Sequence, residues 1–163
     1  MQGCTLGCAG CFNPTTHDAA DGHEVTVAEL ADQLRVARAT GVEGLSLSGG
    51  EPLQQAAAAA ALLAEARALG MSTLAFSGYT IEEIRELPFG SEVLAELDVL
   101  IDGRYVAGDR LASGLRGSSN QRIQLLTARY SLAEVEATPV AEIRIGPTGD
   151  IVLTGVNPLK LRR

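Results

Sequence analysis

Residues 43–53 read Glu43-Gly44-Leu45-Ser46-Leu47-Ser48-Gly49-Gly50-Glu51-Pro52-Leu53, and an alanine-rich run follows directly. Leu45 and Leu47 alternate with small residues, the period of a short strand over 43–48. Two glycines then permit a sharp turn and close approach of the backbone. Over 54–69 the chain is dominated by alanine, the strongest helix former, and Gly70 stands where a left-handed residue closes a helix. Strand, glycine turn and helix in this order make the first half of a βαβ unit, which implies a parallel sheet. Glu51 then falls at the carboxyl end of a strand, where such sheets bind ligands. Taken alone, a Gly-Gly turn after a strand is weak evidence for a site, because most such turns only reverse the chain.

The same alternation continues on both sides. Thr26, Thr80 and Ser131 are each followed three residues later by a glutamate (Glu29, Glu83, Glu134), so each predicts a capping box and a helix start. A further short helix is predicted over 91–97, and Pro139 ends the last one. Strands are predicted over 72–76, 98–101 and 121–126. The consecutive apolar triplet Val99-Leu100-Ile101 suits a strand covered on both faces. Residues 3–24 and 103–120 read as loops. Segments 142–145 and 150–153 flank Gly146-Pro147-Thr148-Gly149 and predict a short C-terminal β-hairpin. The fold class is therefore α/β with a mostly parallel sheet, in a single domain spanning 1–163.

Bulk composition narrows the function. The chain has 163 residues, 46% hydrophobic and 20% charged, as in an ordinary globular domain. Its formal net charge of −7 repels phosphate backbones, which argues against nucleic acid as a direct partner. No apolar run has the length to cross a bilayer, and Met1-Gln2-Gly3-Cys4 does not open a secretory signal. No membrane partner is expected, and the cytoplasm is the expected compartment.

All 3 cysteines lie in the first loop, as Cys4-x3-Cys8-x2-Cys11. A disulfide framework needs pairs spread through the chain, so thiolates held for a metal explain the clustering better. Such spacing lets three thiolates converge on one face of a small cluster. No fourth cysteine exists, so a cubane held here would keep one iron without a cysteine ligand, and an open position is what makes a metal centre catalytic. The competing reading is a closed Cys3His zinc site completed by His17 or His23. A zinc module, however, has no use for the glycine turn at the end of a strand.

At this point the chain resembles the radical S-adenosylmethionine superfamily. Cys4-x3-Cys8-x2-Cys11 matches its cluster motif, and Gly49-Gly50-Glu51-Pro52 its turn for the methionine end of the cofactor. Within it, four stretches are similar to the activating proteins of anaerobic ribonucleotide reductase, small glycyl-radical activases. These are Cys8-Ala9-Gly10-Cys11-Phe12-Asn13-Pro14, Ser77-Gly78-Tyr79-Thr80, Asp98-Val99-Leu100-Ile101-Asp102-Gly103-Arg104-Tyr105 and Leu115-Arg116-Gly117-Ser118-Ser119-Asn120-Gln121.

The resemblance implies a partial (incomplete) βα barrel. It implies a [4Fe–4S] cluster on Cys4, Cys8 and Cys11, with the amino and carboxylate groups of S-adenosyl-L-methionine on the fourth iron. It assigns Gly49, Gly50 and Glu51 to the methionine amino group, and Gly10, Cys11 and Phe12 to the adenine side. Ser77 and Asp102 are assigned to the carboxylate or ribose. The implied reaction is reductive cleavage to a 5′-deoxyadenosyl radical, used to make a glycyl radical on a large partner, an anaerobic ribonucleotide reductase. A low-potential donor such as flavodoxin or ferredoxin would supply the electron. The chain departs from the family in having Gly10 where many members carry an aromatic residue. It has glutamate at Glu51, where many activases have aspartate. It has three residues before Cys4, where members carry a strand, so the first strand is expected to be missing from the sequence. Two further readings are a radical enzyme acting on a peptide or small molecule, and a non-catalytic zinc or iron–sulfur module. Arg104, Arg110, Arg116 and Arg122 are candidates to meet a protein partner, against the ordinary reading of solvated surface arginines.

Overall fold

The computed structural model describes residues 1–139 and 141–155, so residues 156–163 of the single-domain reading lie outside the described residues. After the cysteine loop come α1 (Val27–Ala39), β1 (Gly44–Leu47), α2 (Ala56–Ala68), β2 (Ser72–Ser77), α3 (Ile81–Glu86), α4 (Gly90–Ala95) and β3 (Val99–Asp102). Then follow β4 (Arg110–Ser113), β5 (Arg116–Ser118), β6 (Arg122–Leu125), α5 (Leu132–Glu136), β7 (Ala141–Ile145) and β8 (Ile151–Gly155). Each predicted capping box forms. Thr26, Thr80 and Ser131 accept from the backbone N–H of Glu29, Glu83 and Glu134, whose carboxylates reach back to the cap. These reciprocal bonds satisfy the orphan donors that start α1, α3 and α5. Helix α2 starts later than predicted, because Pro52–Gln55 forms a 3-10 turn first.

The main sheet has 4 strands in the order β1-β2-β3-β6. β1, β2 and β3 are parallel, joined by α2 and by α3 with α4. β6 is antiparallel to β3, with Asp102 opposite Arg122. The reason lies in the connection. Residues 103–121 contain no crossover helix, so the chain must reverse and return. The sheet is open and does not close into a barrel. A second difference from the sequence reading is the small β4–β5 hairpin inside the expected 103–120 loop. Neither strand carries an alternating pattern long enough to read.

Leu47, Ala75 and Leu100 face the helices and pack with Ala59, Leu63 and Ile84. Val99 and Ile101 face the other way, onto Val135 of α5, with Phe76, Leu115 and Ile123 around them. β3 is thus buried along its whole length, as its apolar triplet predicts. Sheet and helices bring the carboxyl ends of β1, β2 and β3 to one edge of the domain. The C-terminal hairpin pairs Ile143 with Leu153 and Ile145 with Ile151, on one exposed face.

Candidate functional site

The residues after the three parallel strands meet the cysteine loop around one cavity of about 530 Å³, within the range of small-ligand sites. Cys4, Cys8 and Cys11 line it, all free and half-buried. Opposite them stand Ser48, Gly49, Gly50 and Glu51 after β1, and Ser77 and Gly78 after β2.

The loop is built by short local bonds. Cys11 N–H donates to the Cys8 carbonyl at 3.2 Å, and Asn13 N–H to Cys11 Sγ at 3.4 Å. Cys4 N–H donates to the His17 carbonyl at 3.0 Å. Burial pushes the Cys4 thiol above its usual range, partly opposed by a hydrogen bond from the Leu6 backbone. His17 borders the cavity, whereas His23 does not. Among the described residues, no three His, Cys, Asp or Glu side chains sit together tightly enough to hold a single metal ion. Three undisulfided thiols line this one cavity. Soft thiolates are the ligands that iron–sulfur clusters take.

The glycine turn has a local cause. The chain leading to Cys4 runs directly beside it. Met1 donates its amine to the Ser48 carbonyl at 2.7 Å, Gly50 N–H reaches the Met1 carbonyl at 2.8 Å, and Glu51 N–H the Gly3 carbonyl at 2.9 Å. A Cβ on Gly49 would lie 2.2 Å from the Met1 carbonyl oxygen, and one on Gly50 the same distance from that of Gly3. Gly49 also has φ of +112°, which only glycine adopts freely. What approaches these glycines so closely is the entry to the cysteine loop.

Glu51 is 2% exposed, and its carboxylate faces inward. It accepts from Ser77 Oγ at 2.8 Å, Gly78 N–H at 2.8 Å and Leu53 N–H at 3.0 Å. Burial raises its carboxyl above the usual range, against those three hydrogen bonds. Ser77 Oγ also accepts from Tyr79 N–H at 3.0 Å. Glu51 and Ser77 therefore tie the β1 turn to the β2 turn.

Two of the residues picked from the sequence do not border the cavity. Gly10 lies on the outer side of the loop, where a Cβ would meet Ala107 at 3.1 Å. Asp102 is wholly buried and accepts from Ile81 N–H at 2.7 Å and from Arg122 Nε at 3.1 Å and Nη2 at 2.5 Å. It anchors the start of α3 to β6. Phe12 borders the cavity, but its ring packs at a 46° tilt against Tyr105, with centroids 4.5 Å apart, and carries the Arg110 guanidinium at 5.0 Å. Tyr105, Leu115, Gly117 and Gln121 complete the lining and were missed as individual site residues. All four lie in stretches noted above for their resemblance.

The arginines are largely committed within the chain. Arg104 pairs with Glu83 at 2.9 Å and lies over the Tyr79 ring, Arg116 pairs with Glu136 at 3.5 Å, and Arg122 bridges Glu82 at 2.7 Å and Asp102. Arg122 holds the exposed Glu82 carboxyl down at about 2. A depressed carboxyl stabilises the fold above its unfolded value of 4.5, and that contribution fades as pH falls towards 2. Arg122→Gln should melt earlier at pH 7, chiefly through Asp102, and the acid side of its melting-temperature profile should flatten only slightly as the small Glu82 contribution is lost. At pH 7 it should lose about 2 kcal/mol, because the buried Asp102 is left partly unpaired while the exposed Glu82 arm adds little. Equal melting profiles for both proteins would refute this.

Over residues 1–124 the chain matches the family described as 4Fe-4S single cluster domain. Proteins described as anaerobic ribonucleoside-triphosphate reductase-activating protein are similar over most of their lengths. The one from Enterobacteria phage T4 is 35% identical over 130 residues, covering 76% of this chain and 79% of its own. That of Vibrio cholerae serotype O1 is 33% identical over 140 residues, covering 78% and 85%. That of Pasteurella multocida is 31% identical over 136 residues, with the same coverage of 78% and 85%. The family match ends within β6 and leaves α5 and the β7–β8 hairpin beyond it.

Proposed function

The chain belongs to the 4Fe-4S single cluster domain family and to the anaerobic ribonucleoside-triphosphate reductase-activating proteins, and from that premise we propose that it cleaves S-adenosyl-L-methionine to activate such a reductase. The observation that carries this reading is that one cavity joins the three cysteines to the Gly49-Gly50-Glu51 turn. Cys4, Cys8 and Cys11 would hold a [4Fe–4S] cluster, which when bound would supply the single electron for reductive cleavage of the cofactor's sulfonium.

The chain's own residues do the positioning. The N–H groups of Gly50 and Glu51 are already used by Met1 and Gly3. The Gly49 and Gly50 carbonyls are the acceptors suited to the methionine ammonium. Phe76, Tyr105 and Leu115 offer an apolar wall for the nucleoside and keep water from it. Bringing the sulfonium next to its reductant in this way can supply about 7–11 kcal/mol of a barrier. The open four-stranded sheet is, in this reading, the incomplete βα barrel of a single radical domain working in the reducing cytoplasm. The reductase closes the exposed face and presents its glycine, and a flavodoxin or ferredoxin delivers the electron.

The test uses anaerobically reconstituted protein with dithionite, the cofactor and an anaerobic ribonucleotide reductase. The expected result is 5′-deoxyadenosine together with the doublet of a glycyl radical on the reductase. 5′-Deoxyadenosine without the doublet moves the substrate to a peptide or small molecule. Zinc in place of iron, with no 5′-deoxyadenosine, overturns the proposal.

A further inference from the structure

The cysteine loop carries one more contact, outside the cluster motif and the glycine turn. Gln54 lies one 3-10 turn beyond Glu51, in Pro52–Gln55. Its side-chain amide meets Thr5, the residue after Cys4, at both of its polar groups. Thr5 N–H donates to Gln54 Oε1 at 3.1 Å, and Gln54 Nε2 donates to Thr5 Oγ1 at 2.7 Å. The same nitrogen reaches Tyr79 Oη at 3.3 Å, after β2. Gln55 works on the other side of Cys4, donating from Nε2 to the Gln2 carbonyl at 2.7 Å. Gln2 Nε2 in turn donates to the carbonyls of Thr15 and Asp18, at 3.1 and 2.6 Å.

A two-point amide grip fixes both position and orientation, as a single bond does not. Among the described residues, Thr5 has no other hydrogen bond to a residue after the loop, and it is exposed. The 3-10 turn that carries Gln54 is rigid, because Pro52 and Leu53 are buried and Leu53 N–H is bound by Glu51.

We propose that Gln54 is a positioning residue that clamps Thr5, and through it Cys4, at a fixed place relative to the glycine turn, so that the cluster and the cofactor's methionine end stay in register. The cluster follows from the family, while the effect on the cofactor rests on the function proposed above. Gln54 touches neither group itself.

The experiment compares reconstituted wild type with Gln54→Ala, Thr5→Val, Thr5→Ser and the Gln54→Ala/Thr5→Val double variant. The rate of iron loss to a chelator tests the clamp without the cofactor. Cofactor affinity is read from the change in the electron paramagnetic resonance spectrum of the reduced cluster, and thermal melts track the fold. Two ordinary hydrogen bonds together correspond to about a tenfold change in an equilibrium. Gln54→Ala should therefore release iron and bind the cofactor about tenfold less favourably, with its melt unchanged. Thr5→Val, which keeps the N–H bond, should show a smaller effect, and Thr5→Ser should behave as wild type. The double variant should be no worse than Gln54→Ala. Wild-type iron release in Gln54→Ala, or additive effects in the double variant, overturns the clamp. If Gln54→Ala melts early, Thr5→Val against Thr5→Ser decides alone, and equal iron release by those two overturns it. A wild type that holds iron but ignores the cofactor refutes the proposed function and leaves the iron-release comparison valid.

Discussion

Cys8→Ala should fold, melt within about two degrees of wild type, and, on the proposed function, yield no detectable 5′-deoxyadenosine. The two halves of this result come from different parts of the structure. Cys8 is half-buried on a loop and belongs to neither hydrophobic core. Removing one sulfur there resembles a surface change, for which about 0.5 kcal/mol in either direction is usual. The proposed chemistry has no such tolerance. With only 3 cysteines in the chain, no spare thiol can take the vacant iron position. The cluster should then assemble incompletely, and its visible absorption and bound iron should fall with activity. Cys11→Ala should be harsher on the loop, because Cys11 Sγ also accepts from Asn13 N–H. A Cys8→Ala protein that still forms 5′-deoxyadenosine at the wild-type rate would remove the cysteines from the mechanism. A protein that unfolds would mean that the loop supports the domain rather than hanging on it.

The parts of the fold that were legible are those governed by local rules. Capping boxes at Thr26, Thr80 and Ser131 fix helix starts through two reciprocal bonds within four residues, and all three form. Val99-Leu100-Ile101 declares a strand buried on both faces, and it is. What could not be read depends on partners far along the chain. The direction of β6 is set by the absence of a crossover helix over 103–121, and the β4–β5 hairpin is held by long-range contacts. The Ser118 hydroxyl, for example, accepts from Val106 N–H at 3.1 Å. The same division holds at the site. The cysteines and glycines announce themselves by spacing. Asp102 sits at a strand end, where ligand-binding groups are common, but its register partner Arg122 and the start of α3 take its carboxylate. Gln54 read only as the beginning of a helix. Its role depends on Thr5, 49 residues earlier in the chain.

Glu51→Ala should be the most destabilising single substitution at the site. Its carboxylate is the only observed acceptor for the side chain of Ser77 and for the N–H groups of Gly78 and Leu53 among the described residues. Each buried donor left without a partner costs about 1–3 kcal/mol, less where water can enter from the cavity. The sum comes to about 3–5 kcal/mol. Domains of this kind are stable by about 5–15 kcal/mol, so the loss removes a large share of the total. Glu51→Gln separates charge from shape. Its carbonyl oxygen can still serve Ser77 and Leu53, but its amide nitrogen then points a donor at the Gly78 N–H, and about 2 kcal/mol should be lost. Ser77→Ala removes one arm of the brace and the acceptor of the half-buried Tyr79 N–H, and should cost about 1–1.5 kcal/mol. Urea unfolding of the four proteins should thus rank wild type, Ser77→Ala, Glu51→Gln and Glu51→Ala in falling order. Cofactor affinity should follow the same order, because the brace holds the β1 turn against the β2 turn. The ranking is what distinguishes this role from direct contact with the cofactor. A glutamate that only touched the methionine end would lose affinity on substitution with its stability intact, and that result would refute the brace.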